Sequence, residues 1–512
     1  MSVDAFIEGA QLVMTWRALV FIFVGVFLGL ILGATPGIGP VPGIALLLPL
    51  TIEFEPWVAL SMLFAIYIGG MYGGAVTAIL LNVPGTAGAI ASTFDGYPLS
   101  LQGRANYAIE VSVLASSFGT ILSAVVLILA MPFLIQLISL FGTVEYALIA
   151  VFGITIIPLV SQDSVSKALL MGGFGTLLST VGMPVMTANP RFTLGIIDLN
   201  DGVAFVPVLL GIFAIAEMLK LVPYEGTLDD SGGGSDGPDG KAPATDGGYR
   251  TVRKIPDRLA EIFVRNPLTF LKSVSIAMIV GLIPAAGGAV SNILAYALEK
   301  GTASDSETFG TGNIRGLISA ESANSGTIAS TLVPLLGFGI PGSPTAAVIL
   351  GGMLMHGVNP GPGLFQESVH LSYATFTAVA IGGVFLIVIG LLTATQMARL
   401  TRLRMSVIVP PIVVLCFVGS YALALSFVDV AQAFLTGLVG YLLIKYNYSI
   451  VALIMGLILG PIIEENVHRA LSLGDVWIFV GTPLRLLLVG LIVASLVGPV
   501  AMSLTNRDRS PA

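Results

Sequence analysis

"LLNVPGTAGAI", residues 80–90, breaks a long apolar run with Pro84, Gly85 and Thr86. "LGFGIPGSPTAAV", residues 336–348, repeats the break much later. In a bilayer core every backbone N–H and C=O needs a partner, so a helix is interrupted there only beside protein or a wet cavity. Two breaks of like composition predict a pair of discontinuous helices with a site between them.

In the first break Pro84 ends the preceding helix, Gly85 permits a sharp turn, and Thr86 suits the N-cap of a new helix from Ala87. In the second, Gly342 turns, Ser343 caps and Pro344 takes the first helical position. Each new helix start presents free N–H groups and partial positive charge, which suit carboxylates. Carbonyls ending the preceding half-helix, with the Thr86 and Ser343 hydroxyls, suit a hard cation such as Na⁺. The bland reading is a packing kink, because Pro and Gly are common in transmembrane helices. Duplication, each time with a capping residue, favours binding.

Asn82, Pro84, Gly85, Thr86, Pro341, Gly342, Ser343 and Thr345 are therefore the substrate candidates. A second pair of interruptions, "TPGIGPVPG" (35–43) and "IPAAGGAVSN" (283–292), adds Gly37, Gly39 and Asn292, with Gly287 and Gly288 allowing close backbone approach. A third polar feature, "SAESANSGT" (319–327), stands just before an apolar run. Glu321, Ser322 and Asn324 join Thr86 and Ser343 as candidates for a Na⁺ or H⁺ site; a solvated loop cap is the other reading of Glu321.

The setting is membrane throughout. Of 512 residues, 55% are hydrophobic and 10% charged, and mean hydropathy is +0.96. Soluble chains carry roughly 25% charge. Many apolar runs near 20 residues long make this an all-α polytopic membrane protein of about 12 segments. Cys416 is the single cysteine, and His356, His370 and His468 form no metal-ligand spacing, so no metal beyond a coupling Na⁺ is expected. There is no H-E-x-x-H, no Ser-His arrangement and no Asp pair in an apolar helix, so no catalytic residue is assigned and an enzyme is not expected. Asp4 and Glu8 precede the first apolar run, unlike the basic start of a signal peptide, so the first helix is expected to be retained.

One stretch is not membrane. Residues 224–248, "YEGTLDDSGGGSDGPDGKAPATDGG", read as a disordered linker. Within 249–267, Ile255, Leu259, Ile262 and Phe263 keep helical spacing and suggest an interfacial amphipathic helix; a basic juxtamembrane loop is the alternative. The chain thus divides into a first membrane repeat (1–223), a linker (224–267), a second repeat (268–466) and an added C-terminal helix and tail (467–512).

The halves echo each other in order at offsets of about 250 residues. "GATPGIGPVPGIALLLPL" (33–50) pairs with "GLIPAAGGAVSNILAYAL" (281–298), and "VSKALLMGGFGTLLS" (165–179) with "VAQAFLTGLVGYLLI" (430–444). Basic residues switch sides between matched turns: Arg104 and Lys167 have no counterparts, whereas Arg399, Arg402 and Arg404 answer a turn without any. That is the pattern of inverted-topology repeats, with the N-terminus outside and the linker and C-terminus cytoplasmic. Glu110, Glu217, Glu464 and Glu465 are read as reaching the interface from helix ends, and Arg485 as snorkelling.

"ATPGIGPVPGIALLLPLTI", "YIGGMYGGAVTAILLNVPGTAGAIAS", "NPRFTLG", "IRGLISAESANSGTIASTLVPLLGFGIPGSPTAAVILGGMLMHGVNPGPGLF" and "GLILGPIIEENVHRAL" together resemble the large membrane subunit of tripartite tricarboxylate transporters, from about residue 18 to about 500. The resemblance implies a secondary transporter of the prokaryotic inner membrane that imports organic carboxylates by Na⁺ or H⁺ symport. It implies two partners, a small membrane subunit of about four helices and an extracytoplasmic solute-binding protein. No other cofactor and no nucleic-acid partner are expected. "AESANS" (320–325) departs from the family's "PEAANN"-like segment at Ala320 and Ser325. A channel, or a carrier of another small solute, is the alternative.

Overall fold

The computed structural model describes residues 3–35, 38–160, 164–184, 189–222, 255–284, 286–397 and 405–507. Gly37, the expected linker at 224–248 and Arg399, Arg402 and Arg404 lie outside them. The described residues are helical, with one isolated β-bridge between Gly182 and Arg191. Six helices are long and apolar enough to cross a membrane. Shorter apolar helices such as Pro40–Thr51 and Pro344–Met355 stand among them.

In chain order the first elements are α1 (Val3–Val13), α2 (Trp16–Gly33), α3 (Pro40–Leu47), α4 (Pro56–Leu81), α5 (Ile90–Leu99) and α6 (Ala105–Ser139). They are followed by α7 (Thr143–Thr155), α8 (Val165–Leu178) and α9 (Ala216–Leu221, entered through Phe205–Leu209 and Leu210–Ile215). Then come α10 (Ile255–Ala260), α11 (Pro267–Gly281), α12 (Gly287–Thr302), α13 (Ile314–Phe338), α14 (Pro344–Met355) and α15 (Val369–Met397). The last are α16 (Met405–Ala424), α17 (Phe427–Lys445), α18 (Ile450–Leu473) and α19 (Pro483–Arg507).

Glycine spacing explains the tightest packing. On α2, Gly25, Gly29 and Gly33 recur every fourth residue, one stripe on a helix face. They face Met62, Ile66 and Gly70 of α4 in rising order, so the two helices run parallel. A Cβ at Gly25 would sit 2.6 Å from the Met62 carbonyl oxygen. Parallel neighbours need a return between them, and α3 supplies it. Arg17 Nη1 at the start of α2 bonds Glu55 Oε1 just after α3, at 2.8 Å. The α2–α3 hairpin therefore leaves and regains one face of the molecule, here the proximal face.

A second hairpin, α11–α12, does the same from the distal face. Lys272 Nζ near the start of α11 lies 2.6 Å from Glu299 Oε2 near the end of α12. α10 and its continuation lead into α11 through a 77° bend, so the helix expected between 249 and 267 is present over Ile255–Arg265. α4 and α5 run antiparallel to α13: Tyr67 meets Thr331, Gly88 meets Asn324, and Gly96 meets Leu317. α13 is tied at its start by Asp95 Oδ1, which accepts from the Gly310, Gly312 and Asn313 N–H groups at 2.8, 2.9 and 2.7 Å.

Two of the ionisable side chains read from the sequence have partners far away in the chain. The Arg485 Nε bonds Glu145 Oε1 at 2.6 Å and its Nη1 bonds the Ile478 carbonyl at 2.8 Å. Glu110 is buried and takes a 2.7 Å bond from Arg258 Nε of α10. In both cases a partner distant in sequence replaces water as the source of compensation.

Candidate functional site

Each helix break is built from a left-handed residue and a chain that doubles back. α4 ends at Leu81 and Asn82 caps it at φ 59°. The helix thus stops three residues before Pro84, where the sequence had placed its end. The Gly85 N–H then bonds the Gly74 carbonyl at 3.1 Å, which folds the break back along α4. Thr86 is extended and begins a short 3₁₀ turn, Ala87–Ala89, that feeds α5. It makes no side-chain cap, contrary to expectation, and its buried Oγ1 has no partner among the described residues.

The second break follows the expected chemistry closely. Gly339 ends α13 at φ 69°, and the Ile340 N–H reaches back to the Pro334 carbonyl at 3.2 Å. Ser343 Oγ accepts the Ala346 N–H at 3.1 Å, and Pro344 occupies the first turn of α14. The Tyr67 hydroxyl of α4 lies 3.0 Å from the same Ser343 oxygen.

The hairpin tips meet these breaks. Gly39 at φ 62° starts α3 beside Gly85 and Thr86. Gly287 at φ 47° starts α12, where an added Cβ would lie 3.0 Å from Ser343 Cβ. Both positions favour glycine on conformation as well as space.

A cavity of about 720 Å³ lies where the four segments come together. Its wall includes Gly39, Gly85, Thr86, Gly287, Ser343 and Thr345. Four helix starts, those of α3, the turn into α5, α12 and α14, thus border one space. Among the described residues, none that lines it carries a charge. Pro40, Pro42 and Pro344 have no N–H and the Ala346 N–H is taken by Ser343 Oγ, so these helix starts bring partial positive charge and the few remaining first-turn N–H groups to the cavity. A smaller space of about 250 Å³ shares Ile38, Val41, Pro42 and Gly85 of this wall and adds Glu217 and Ile444.

Of the remaining candidates, Asn82, Pro84, Pro341 and Gly342 shape the turns without lining the cavity. Gly342 is pressed against α13, where a Cβ would meet Thr331 Cα at 2.9 Å. Asn292 is buried on α12; its Nδ2 donates to the Gly88 carbonyl and its Oδ1 has no partner.

The "SAESANSGT" stretch lies within α13, in one helix with the apolar run that follows it, and Glu321, Ser322 and Asn324 are fully buried. The loop-cap reading of Glu321 is overturned. Its carboxylate accepts from Ser92 Oγ of α5 and, at 2.7 Å, from Ser116 Oγ of α6. Both amide atoms of Asn324 and the hydroxyls of Ser319, Ser322 and Ser325 are buried without partners among the described residues. A buried polar group left unpaired costs roughly 1–3 kcal/mol. Asn324 Oδ1 faces Gly88 and Gly288, both in the cavity wall. This patch therefore stands directly behind the cavity.

Tyr67, Met71, Ser92 and Ser116 join the site without having been singled out. "YIGGMYGG" (67–74) held the only hint, since small residues beside aromatics mark close helix packing.

The model of the tripartite tricarboxylate transporter TctA family matches residues 19–455. The chain is 33% identical over 487 residues to a protein of Agrobacterium vitis named "Uncharacterized 52.8 kDa protein in TAR-I ttuC' 3'region", covering 94% of this chain and 93% of that one. It is 30% identical over 215 residues to the "Uncharacterized protein in TAR-II ttuC' 3'region" of the same organism, covering 42% of this chain and 89% of the relative. No solved structure matches the chain.

Proposed function

The chain belongs to the tripartite tricarboxylate transporter TctA family, and from that membership we propose that it is the translocating subunit of a secondary transporter that imports organic carboxylates. It is a multi-pass membrane component of a transport system, not an enzyme. The observation that carries the substrate class is the convergence of four helix starts on one cavity whose described lining has no charged side chain. An anion there is held by N–H groups and helix dipoles, which leaves it free to depart again. A cation would find a wall of glycines and prolines at the positive ends of helices.

Coupling to Na⁺ or H⁺ is the second element of the proposal. The polar patch of α13 behind the cavity, with Glu321 and Asn324, supplies oxygen ligands or a proton acceptor within the same packed unit. Thr86 Oγ1, buried and unpartnered, extends that set toward the cavity. The antiparallel run of α4 against α13, each with its own hairpin, supports inverted repeats. Arg258, Arg265, Lys272 and Arg315 cluster toward the distal face, which supports a cytoplasmic assignment for it. A small membrane subunit and an extracytoplasmic solute-binding protein complete the system.

The test is uptake in proteoliposomes holding this chain and both partners, with and without an imposed Na⁺ or H⁺ gradient. Saturable accumulation of a di- or tricarboxylate against its gradient is expected. Flux that neither saturates nor responds to either gradient points instead to a channel.

A further inference from the structure

A second cavity, of about 540 Å³, lies on the other side of α14. Ser343 to Thr345 at the start of α14 border the first cavity, and Leu350 and Leu354 near its end border the second. Asn359 of the second cavity follows His356, which bonds Thr51 on the proximal face at 3.0 Å. This space therefore belongs to the proximal side of the molecule.

Its lining includes one cation, Arg191. The backbone of Arg191 is fixed by paired bonds with Gly182, at 2.8 and 2.9 Å. Its guanidinium reaches Glu464 of α18 through one nitrogen: Nη2 lies 2.8 and 3.0 Å from the two carboxylate oxygens. Nε is buried and has no partner among the described residues. A guanidinium meets a carboxylate best when two of its N–H groups each take one oxygen. The observed pair falls short of that and leaves the Nε donor, covered in this arrangement, unused. The Arg191 side chain is 37% exposed, so the site communicates with the surface.

We propose that Arg191 is an entry site for a substrate carboxylate, distinct from the central cavity, and that Glu464 occupies it as an internal stand-in. An arriving carboxylate displaces Glu464 and takes the Nε and Nη2 donors together. Asp201 and Glu465 also line the space, and Glu465 is engaged by Arg469 at 2.5 Å. These acids keep residence short, as a transit site requires. The inference rests on the anion-import reading above.

The test measures KM for uptake of radiolabelled citrate, succinate and tartrate by the complete system in proteoliposomes. Glu464→Gln removes the competitor, and KM should fall severalfold for whichever anion the unaltered chain carries. Arg191→Gln should raise KM by about tenfold or more. Arg191→Lys should not restore it, because an ammonium lacks the planar fork. A purely structural ion pair predicts that the two single variants lose folded protein together with KM unchanged. KM shifts of the same sign, or none, overturn the proposal while leaving carboxylate import standing. If Arg191→Gln does not reach the membrane, Arg191→Lys and Glu464→Gln carry the same opposite-sign test. If the unaltered system moves none of the three anions, the import reading falls and this one with it.

Discussion

The hydroxyls of Tyr67 and Ser343, 276 residues apart in the chain, lie 3.0 Å apart at the second helix break. Ser343 Oγ serves two tasks there, since it also accepts the Ala346 N–H at 3.1 Å. One atom thus caps α14 and joins it to α4 of the other half. Ser343→Ala should remove both bonds, lowering stability by about 1 kcal/mol through the cap alone. Ser343→Thr keeps the oxygen and should retain most of it. Thermal unfolding in detergent checks the cost, and substrate KM checks whether the cavity wall has moved. No change in either would detach this contact from the site.

Asn324 should affect the coupling ion more than the substrate. Its amide is buried and unpartnered behind Gly88 and Gly288. Asn324→Ala removes an oxygen ligand, so the half-saturating cation concentration should rise by about tenfold, with a smaller change in substrate KM. Titrating uptake against Na⁺ and against pH separates the two. Equal loss for substrate and cation would argue that Asn324 only packs.

Asp95 holds the start of α13 through three backbone N–H groups, and Tyr296 donates to its second oxygen at 2.9 Å. Asp95→Asn leaves one acceptor where charge-assisted bonds stood, and bonds to charged groups contribute about 1.5–3 kcal/mol each. A marked fall in melting temperature is expected, with substrate KM in the surviving protein unchanged. A variant as stable as the parent would show that the 310–313 segment is held by other contacts.

Glycine tolerance should differ sharply along the chain. A Cβ at Gly29 would lie 2.9 Å from both the Gly70 nitrogen and the Ile66 Cα, which are backbone atoms with no room to yield. At Gly173 on α8 nothing lies within 4 Å. Gly29→Val should abolish folded protein in the membrane, while Gly173→Ala should be neutral or slightly stabilising. Fluorescence-detected size-exclusion of tagged variants reads both.

His356, in the loop after α14, has its pKa lowered from the usual 6.5 by burial. The folded protein therefore favours the neutral ring. The unfolded chain binds the proton first as pH falls, so this contribution is fully present above about pH 6.5 and declines below it. His356→Gln should flatten the fall in melting temperature between pH 7 and pH 5. An unchanged slope would assign that fall to other groups.

What the sequence disclosed depended on how local the chemistry was. The Ser343 cap and Pro344 were legible because N-capping involves residues three apart. Thr86 misled the same rule: its neighbours allow a 3₁₀ start, and its oxygen faces inward with no N–H to accept. Glu321 misled because Ser and Asn depress hydropathy and imitate a loop, while Ser92 and Ser116, more than 200 positions away, make a helix interior tolerable. Tyr67 was hidden for a similar reason, since nothing within an apolar run marks which ring will face a distant serine. The interruptions at 35–43 and 283–292 were legible from their Gly and Pro residues, but not that the chain turns back at them. The return to the starting face became visible only through Arg17 with Glu55 and Lys272 with Glu299.

That return has a consequence for how the protein is made. A segment as apolar as α2 enters the bilayer like any spanning helix, yet α3 must come back out before α4 goes in. The tip between them finds its seat against Gly85 and Thr86, which are synthesised after α4. Ser343, the partner of Tyr67, is made later still. The cavity wall that Ser343 helps to form is therefore a late product of synthesis, and released chains truncated before residue 343 should be more open to protease than those that include it.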